Sequence, residues 1–179
     1  MKEHEAFLRQ ARSDYRTFRI LWAMNRSEMP ACHPLHYLQM ACEKLAKAVM
    51  LAGEDSGFDR YSHATFSNLP TVLRRLNVAS KLGYDDFRIF KKFLQRSKPI
   101  FHGIDELHPS IGPRQSGGGP PDGPNTEYPW KAPDGHGGNV WKAPVDHNFG
   151  VAKYLNSGDG AAVMVLIEGL LLRFKEIYR

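Results

Sequence analysis

Cysteine is nearly absent from this chain: its 179 residues hold only Cys32 and Cys42. Two thiols cannot build the disulfide framework of a small secreted domain, and a chain of this length buries a sizeable core without staples. The opening Met1-Lys2-Glu3-His4-Glu5 lacks the basic then apolar pattern of a secretory leader, so a cytoplasmic protein with reduced thiols is expected. Long apolar runs are also missing. Ala161–Ile167 followed by Gly169–Leu172 is the longest, and Glu168 interrupts it well short of the roughly 20 residues a membrane-spanning helix needs. No membrane partner is expected. Nor is there a phosphate loop, because Gly117-Gly118-Gly119-Pro120-Pro121 is not followed by Gly-Lys-Ser/Thr and has no strand-to-helix setting.

Glycine and proline are scarce except in one stretch. Residues 103–150 carry ten of the sixteen glycines and eight of the twelve prolines, which excludes a continuous helix there. The rest has helical periodicity. Phe7, Ala11, Tyr15, Phe18 and Trp22 recur every three or four residues and predict a first helix over about Glu3–Met24. Leu35, Leu38, Ala41, Leu45, Ala48, Val49 and Ala52 trace a second, ending at Gly53, with Glu43 and Lys47 paired at i,i+4 on its side. Leu69, Val72, Leu73 and Leu76 mark a third, with Pro70 in its first turn. A fourth starts at Asp85 and Asp86, acidic residues suited to a helix N-terminus, and Pro99 ends it near Ser97. Ser157 or Asp159 caps a last helix that runs to Arg179 and whose many aliphatic residues predict burial on several sides, in the core or against a second subunit.

Within the glycine- and proline-rich stretch, Trp130-Lys131-Ala132-Pro133-Asp134-Gly135 nearly repeats as Trp141-Lys142-Ala143-Pro144-Val145-Asp146 around Gly137-Gly138. Two units are too few for a solenoid; they predict an edge-like β-hairpin that lays its Trp side chains on the helical body, or alternatively a base-stacking surface. Residues 112–124 are expected to form a mobile tip. The predicted fold is therefore all-α, a single domain over residues 1–179 with 103–150 as a loop or hairpin insertion before the last helix.

Charge is uneven. The formal net charge is +5, and Arg74, Arg75, Lys81, Arg88, Lys91, Lys92, Arg96 and Lys98 face only Asp85 and Asp86 in their window. Such a window is either a solvated helix face or a phosphate-tracking surface whose binding weakens with salt. At its end, Arg96-Ser97-Lys98-Pro99-Ile100-Phe101-His102 joins a fixed cation to a group that titrates near neutrality. Six uninterrupted helical steps would set Arg96 and His102 about 240° apart around the axis, so a shared site requires the helix to end between them.

Tyr37-Leu38-Gln39-Met40-Ala41-Cys42-Glu43-Lys44-Leu45-Ala46-Lys47-Ala48, Ser62-His63-Ala64-Thr65-Phe66 and the aromatic first helix together resemble the HEPN superfamily. The resemblance covers residues 1 to about 102 and the last helix. It implies an up-and-down helical bundle that dimerises, in which many members are metal-independent ribonucleases carrying an Arg followed four to six residues later by a His. Arg96 and His102 fit that spacing; the position after the Arg, often Asn, Asp or His in active members, is Ser97 here. The superfamily also contains inactive, nucleotide-binding and structural members. A nucleotidyltransferase-like antitoxin is one partner the resemblance implies, in a toxin–antitoxin or antiviral setting.

The chemistry open to such a pair is RNA cleavage without a cofactor. His102 takes the proton of a 2′-hydroxyl or gives one to the leaving 5′-oxygen, and Arg96 holds the phosphate and the charge of the transition state. Ser97, Lys98, Arg88, Lys91 and Lys92 are the expected substrate-binding residues. In a homodimer, two His102 residues would share the acid and base roles. DNA, lacking the 2′-hydroxyl, would not be cut. The alternative is a non-catalytic helical module that binds nucleic acid, a nucleotide or a protein, with His102 a surface imidazole favoured by a helix terminus. Cys32, His33, His36 and Cys42 lack an established metal-site spacing and suit core thiols and cap residues better. His136, His147, Asp134 and Asp146 offer further ligands, and a glycine-rich loop surface accounts for them equally.

Overall fold

The computed structural model describes residues 1–24, 28–53, 65–75, 78–109 and 123–178. Seven α-helices and one hairpin make up these residues: α1 (Glu3–Trp22), α2 (Cys32–Ala52), α3 (Leu69–Arg75), α4 (Phe87–Arg96), α5 (Lys98–Asp105), β1 (Trp130–Pro133), β2 (Asn139–Lys142), α6 (Val151–Leu155) and α7 (Gly158–Ile177). The protein is mostly helical, with its two strands placed before the last helices, as the composition predicts.

Three long helices form the centre. Ala11, Tyr15 and Phe18 of the predicted α1 stripe are buried, and Phe7 and Trp22 pack on the core edge. Lys44 of α2 meets Asp14 at 3.3 Å and Lys47 lies over the Phe7 ring, so α1 and α2 run antiparallel. Arg12 donates to the Leu171 carbonyl at 2.9 Å while Tyr15 donates to Glu168 at 2.9 Å, which sets α7 antiparallel to α1 as well. α2 is the most enclosed element; its Leu35, Leu38, Cys42, Leu45, Ala48 and Val49 are sealed from solvent. Pro34 sits in its first turn, where a missing N–H costs nothing. Glu43 and Lys47 do pair, at 2.6 Å, but both are buried where the sequence predicted a flank.

Local capping follows the sequence. Asp86 accepts from the Arg88 N–H at 2.7 Å to start α4, and Ser157 accepts from the Gly160 N–H at 3.1 Å to start α7. α7 buries Val163, Leu166, Ile167, Leu170 and Phe174 yet leaves Val165 and Leu172 exposed, and Lys81 donates to its final Ile177 carbonyl at 2.8 Å. Among the described residues no helix is long and apolar enough to cross a membrane.

Two expectations need correction. α4 stops at Arg96 as predicted, but the chain does not leave helical geometry: α5 begins at Lys98 and passes through Gly103 to Asp105. Pro99 lies in the first turn of α5 and starts it, while Ile100, Phe101 and Ile104 bury one face. A single Gly costs a helix only about 1 kcal/mol, and at Gly103 an added Cβ would press on Val151 at 3.2 Å, so the small residue serves close packing.

The hairpin pairs Trp130 with Lys142 and Lys131 with Trp141. Directly paired residues share a face and neighbours along a strand alternate, so the two Trp side chains point to opposite faces. Only Trp130 is buried; Trp141 is 57% exposed, with Lys131 5.4 Å over its ring. Asp134 closes the turn by accepting from the His136 and Gly138 N–H groups, with Gly135 and Gly137 at positive φ. Of the segment Ser62–Phe66, residues 62–64 lie outside the described residues, as do Leu76, the Gly117–Pro121 run and most of the expected tip at 112–124.

Candidate functional site

Ser97 is the joint on which the site is built. It ends α4, its N–H donating to the Phe93 carbonyl at 3.0 Å, and it starts α5, its carbonyl accepting from Ile100 and Phe101. Its side chain is fully buried, with the hydroxyl unpartnered among the described residues. The hydroxyl expected to bind substrate is thus enclosed at the junction of α4 and α5.

Arg96 is at the last turn of α4 and exposed. Its guanidinium meets Asp159, in the first turn of α7, at 2.7 Å. Arg88 is likewise engaged by Asp86, at 3.1 Å, and that cation together with the Arg88 N–H holds the Asp86 carboxyl below the usual carboxylate range. Lys91, Lys92 and Lys98 are exposed and form no ion pair with any described residue. Of these five residues, the two arginines are locally neutralised and the three lysines are open to an anion.

His102 lies on the exposed face of α5 that also carries Pro99, Gly103 and Glu106, spaced by three and four residues. This face forms one wall of a cleft of about 610 Å³, within the size range of about 300–1,000 Å³ common for small-molecule sites. The rest of the lining comes from chain far along the sequence and includes His147, Phe149, Gly150 and Tyr154. It is stapled to the turn after α5 by Thr126, whose N–H and hydroxyl both donate to the Leu107 carbonyl, at 3.0 and 3.1 Å. Asn125 holds the bend before β1 by accepting from the Glu127 and Tyr128 N–H groups.

Arg96 is not part of the cleft lining, and five residues separate it from His102. The corner between α6 and α7 relates them: Tyr154 lines the cleft and Asp159 holds Arg96. That corner is tight, since a Cβ on Gly160 would lie 2.1 Å from the Tyr154 carbonyl oxygen.

The titratable groups have distinct surroundings. Burial lowers the basicity of His147, whose ring makes edge contacts with Trp130 at 5.2 Å and Phe149 at 4.7 Å. Beneath His102, Asp105 accepts from the Phe66 N–H at 3.2 Å and the Ser67 N–H at 2.7 Å, fixing the turn before α3; burial raises its pKa, opposed by those hydrogen bonds. Burial and the Asp105 charge push the Cys42 thiol well up.

Neither metal-ligand set suggested by the sequence forms. Among the described residues no group of three or more His, Cys, Asp or Glu side chains converges. Cys32 and Cys42 are buried free thiols, His36 faces Glu127 at 3.6 Å, and Asp134 is occupied by its own turn. Sequence reasoning found His102 but treated His147 only as a loop ligand and Asp159 only as a cap, and it passed over Glu106 and Tyr154. His147 and Tyr154 are 45 and 52 positions from His102 and Asp159 is 63 from Arg96, and no local pattern announces such contacts. No family model, curated protein or solved structure matches the chain.

Proposed function

We propose that the protein is a metal-independent endoribonuclease with a HEPN-like up-and-down bundle, in which His102 transfers protons and Arg96 holds the scissile phosphate. The observation that carries this reading is the placement of His102, an exposed imidazole in the wall of a nucleotide-sized cleft, on the helix that follows the basic α4. Lys91, Lys92 and Lys98 supply the phosphate-tracking charge, and Arg88 joins them where a phosphate displaces Asp86. The ion pair to Asp159 does not bar Arg96 from this role. With side chains 66% and 37% exposed, such a pair is worth about 0–1 kcal/mol, and a doubly contacted phosphate competes with it. RNA is the proposed substrate, a homodimer the proposed assembly, and an antitoxin of nucleotidyltransferase type the proposed restraining partner.

One observation favours a second reading. Arg96 already has a carboxylate, so a non-catalytic helical module that binds RNA through its lysines is the alternative. Cleavage of a mixed cellular RNA pool in excess chelator separates the two. The ribonuclease reading predicts cleavage by the wild type that is lost in folded Arg96→Ala and His102→Ala proteins. Binding without cleavage, or cleavage unchanged in both variants, would leave the binding module as the better account.

A further inference from the structure

His147 has no place in the Arg–His motif, yet it shares the cleft with His102. It belongs to the glycine- and proline-rich segment, and the segment's geometry is organised around it. The buried Trp130 at the start of β1 and the buried Phe149 both meet its ring nearly at right angles, 89° and 82°. A surface imidazole needs no such support; here two aromatic rings fix its direction while it remains part of the cleft lining. Across the cleft, the contact of Gly103 with Val151 sets how closely α5 approaches this wall. The cavity therefore presents two imidazoles from distant segments of chain, with the exposed Tyr154 ring beside them as a surface on which a base can stack.

We propose that His147 is a second proton-transfer residue, acting with His102 of the same protomer on one RNA phosphodiester. The inference rests on the ribonuclease reading and changes its assembly: the acid and the base come from one chain, where the family resemblance implied two copies of His102. His147, whose basicity burial lowers, takes the proton from the 2′-hydroxyl. The 2′-oxygen attacks phosphorus, and the bond from phosphorus to the 5′-oxygen breaks. The departing oxygen keeps that electron pair and receives a proton from the imidazolium of His102. The products are a 2′,3′-cyclic phosphate and a 5′-hydroxyl; the two histidines exchange protons with water to restore the starting state, and no oxidant or reductant is consumed.

The test uses the full chain, an RNA oligonucleotide carrying a mapped cleavage site, and the same oligonucleotide with sulfur in place of the bridging 5′-oxygen. A thiolate leaves without an acid, so the substitution bypasses that role alone. His147→Ala and His102→Ala are each expected to slow cleavage of the oxygen substrate by about 10²–10⁴-fold. The sulfur substrate should restore His102→Ala to within about tenfold of wild type and leave His147→Ala slow. Cleavage by His147→Ala at the wild-type rate, while His102→Ala stays inactive, would overturn the inference and leave the ribonuclease reading standing. Equal rescue of both variants, or of neither, would make His147 a structural residue and overturn the inference too. Absence of wild-type cleavage on any RNA would overturn the reading and the inference together. Gly150→Leu guards against misfolding: the position has φ −56° and nothing within 4 Å of an added Cβ. It should fill the cleft and abolish cleavage with the melting temperature unchanged; full activity in that variant would remove the cleft as the reaction site.

Discussion

The Arg96 guanidinium lies 2.7 Å from the Asp159 carboxylate, joining the end of α4 to the start of α7 across 63 residues of chain. An arginine held this way presents only part of its donor fork to a ligand. Asp159→Asn removes the competitor while keeping the side-chain shape. Affinity for single-stranded RNA should then rise by up to about fivefold, the equivalent of an exposed pair worth at most about 1 kcal/mol. Stability should fall slightly, because an acidic residue in a helix's first turn contributes about 0.3–1 kcal/mol. Fluorescence anisotropy at fixed salt measures the affinity, and an unchanged value would show that Arg96 does not touch the RNA backbone.

The Glu43–Lys47 pair makes a different prediction because it is buried. Its Nζ–Oε1 distance is 2.6 Å, both residues are 5% exposed, and Gln39 also donates to Glu43 at 3.1 Å. Lys47→Met takes the cation away from an enclosed carboxylate and should destabilise the fold by about 3–5 kcal/mol. Adding Glu43→Gln should recover most of the loss, since the buried charge is then gone as well. Urea denaturation of the two single variants and the double variant gives the coupling; additive losses would contradict the pairing.

Asp105 links stability to pH. Burial raises its folded pKa above the unfolded value of about 3.9, so the native state holds this proton more tightly than the unfolded chain does. The resulting stabilisation is complete below about pH 4 and is lost as pH rises through the raised folded pKa. Asp105→Asn keeps one acceptor for the Ser67 N–H and cannot titrate. Wild type should therefore be more stable relative to this variant at pH 4 than at pH 7, as read from paired denaturation curves. An equal gap at both values would mean that the carboxyl is solvated in the native protein.

Much of the fold was legible because its signals are local. The α1 stripe, the Asp86 and Ser157 caps and the turn glycines each act within a few residues of their own positions. α5 was missed because Pro99 was read only as the end of the helix before it and Gly103 as the start of the glycine- and proline-rich stretch, whereas Pro99 starts a helix whose Ile100, Phe101 and Ile104 are buried. The Trp repeat suggested equivalent roles that strand register denies, since Trp130 and Trp141 fall at non-equivalent places in the ladder. The candidate site was half legible. The motif marked Arg96 and His102, but the rest of the cleft depends on contacts between residues some 45 or more positions apart. Periodicity and capping carry no information about those.

The cleft has one wall on a helix packed into the central core and one wall on a separately shaped run from Gly123 to Tyr154, fastened by Asn125, Thr126 and Trp130. This makes the molecule modular. Exchanging the hairpin turn or the Gly150 neighbourhood would alter which molecules the cleft admits, while the packing of α1, α2 and α7 stays as it is. Variants that sort by ligand preference without sorting by melting temperature should therefore map to residues 123–154.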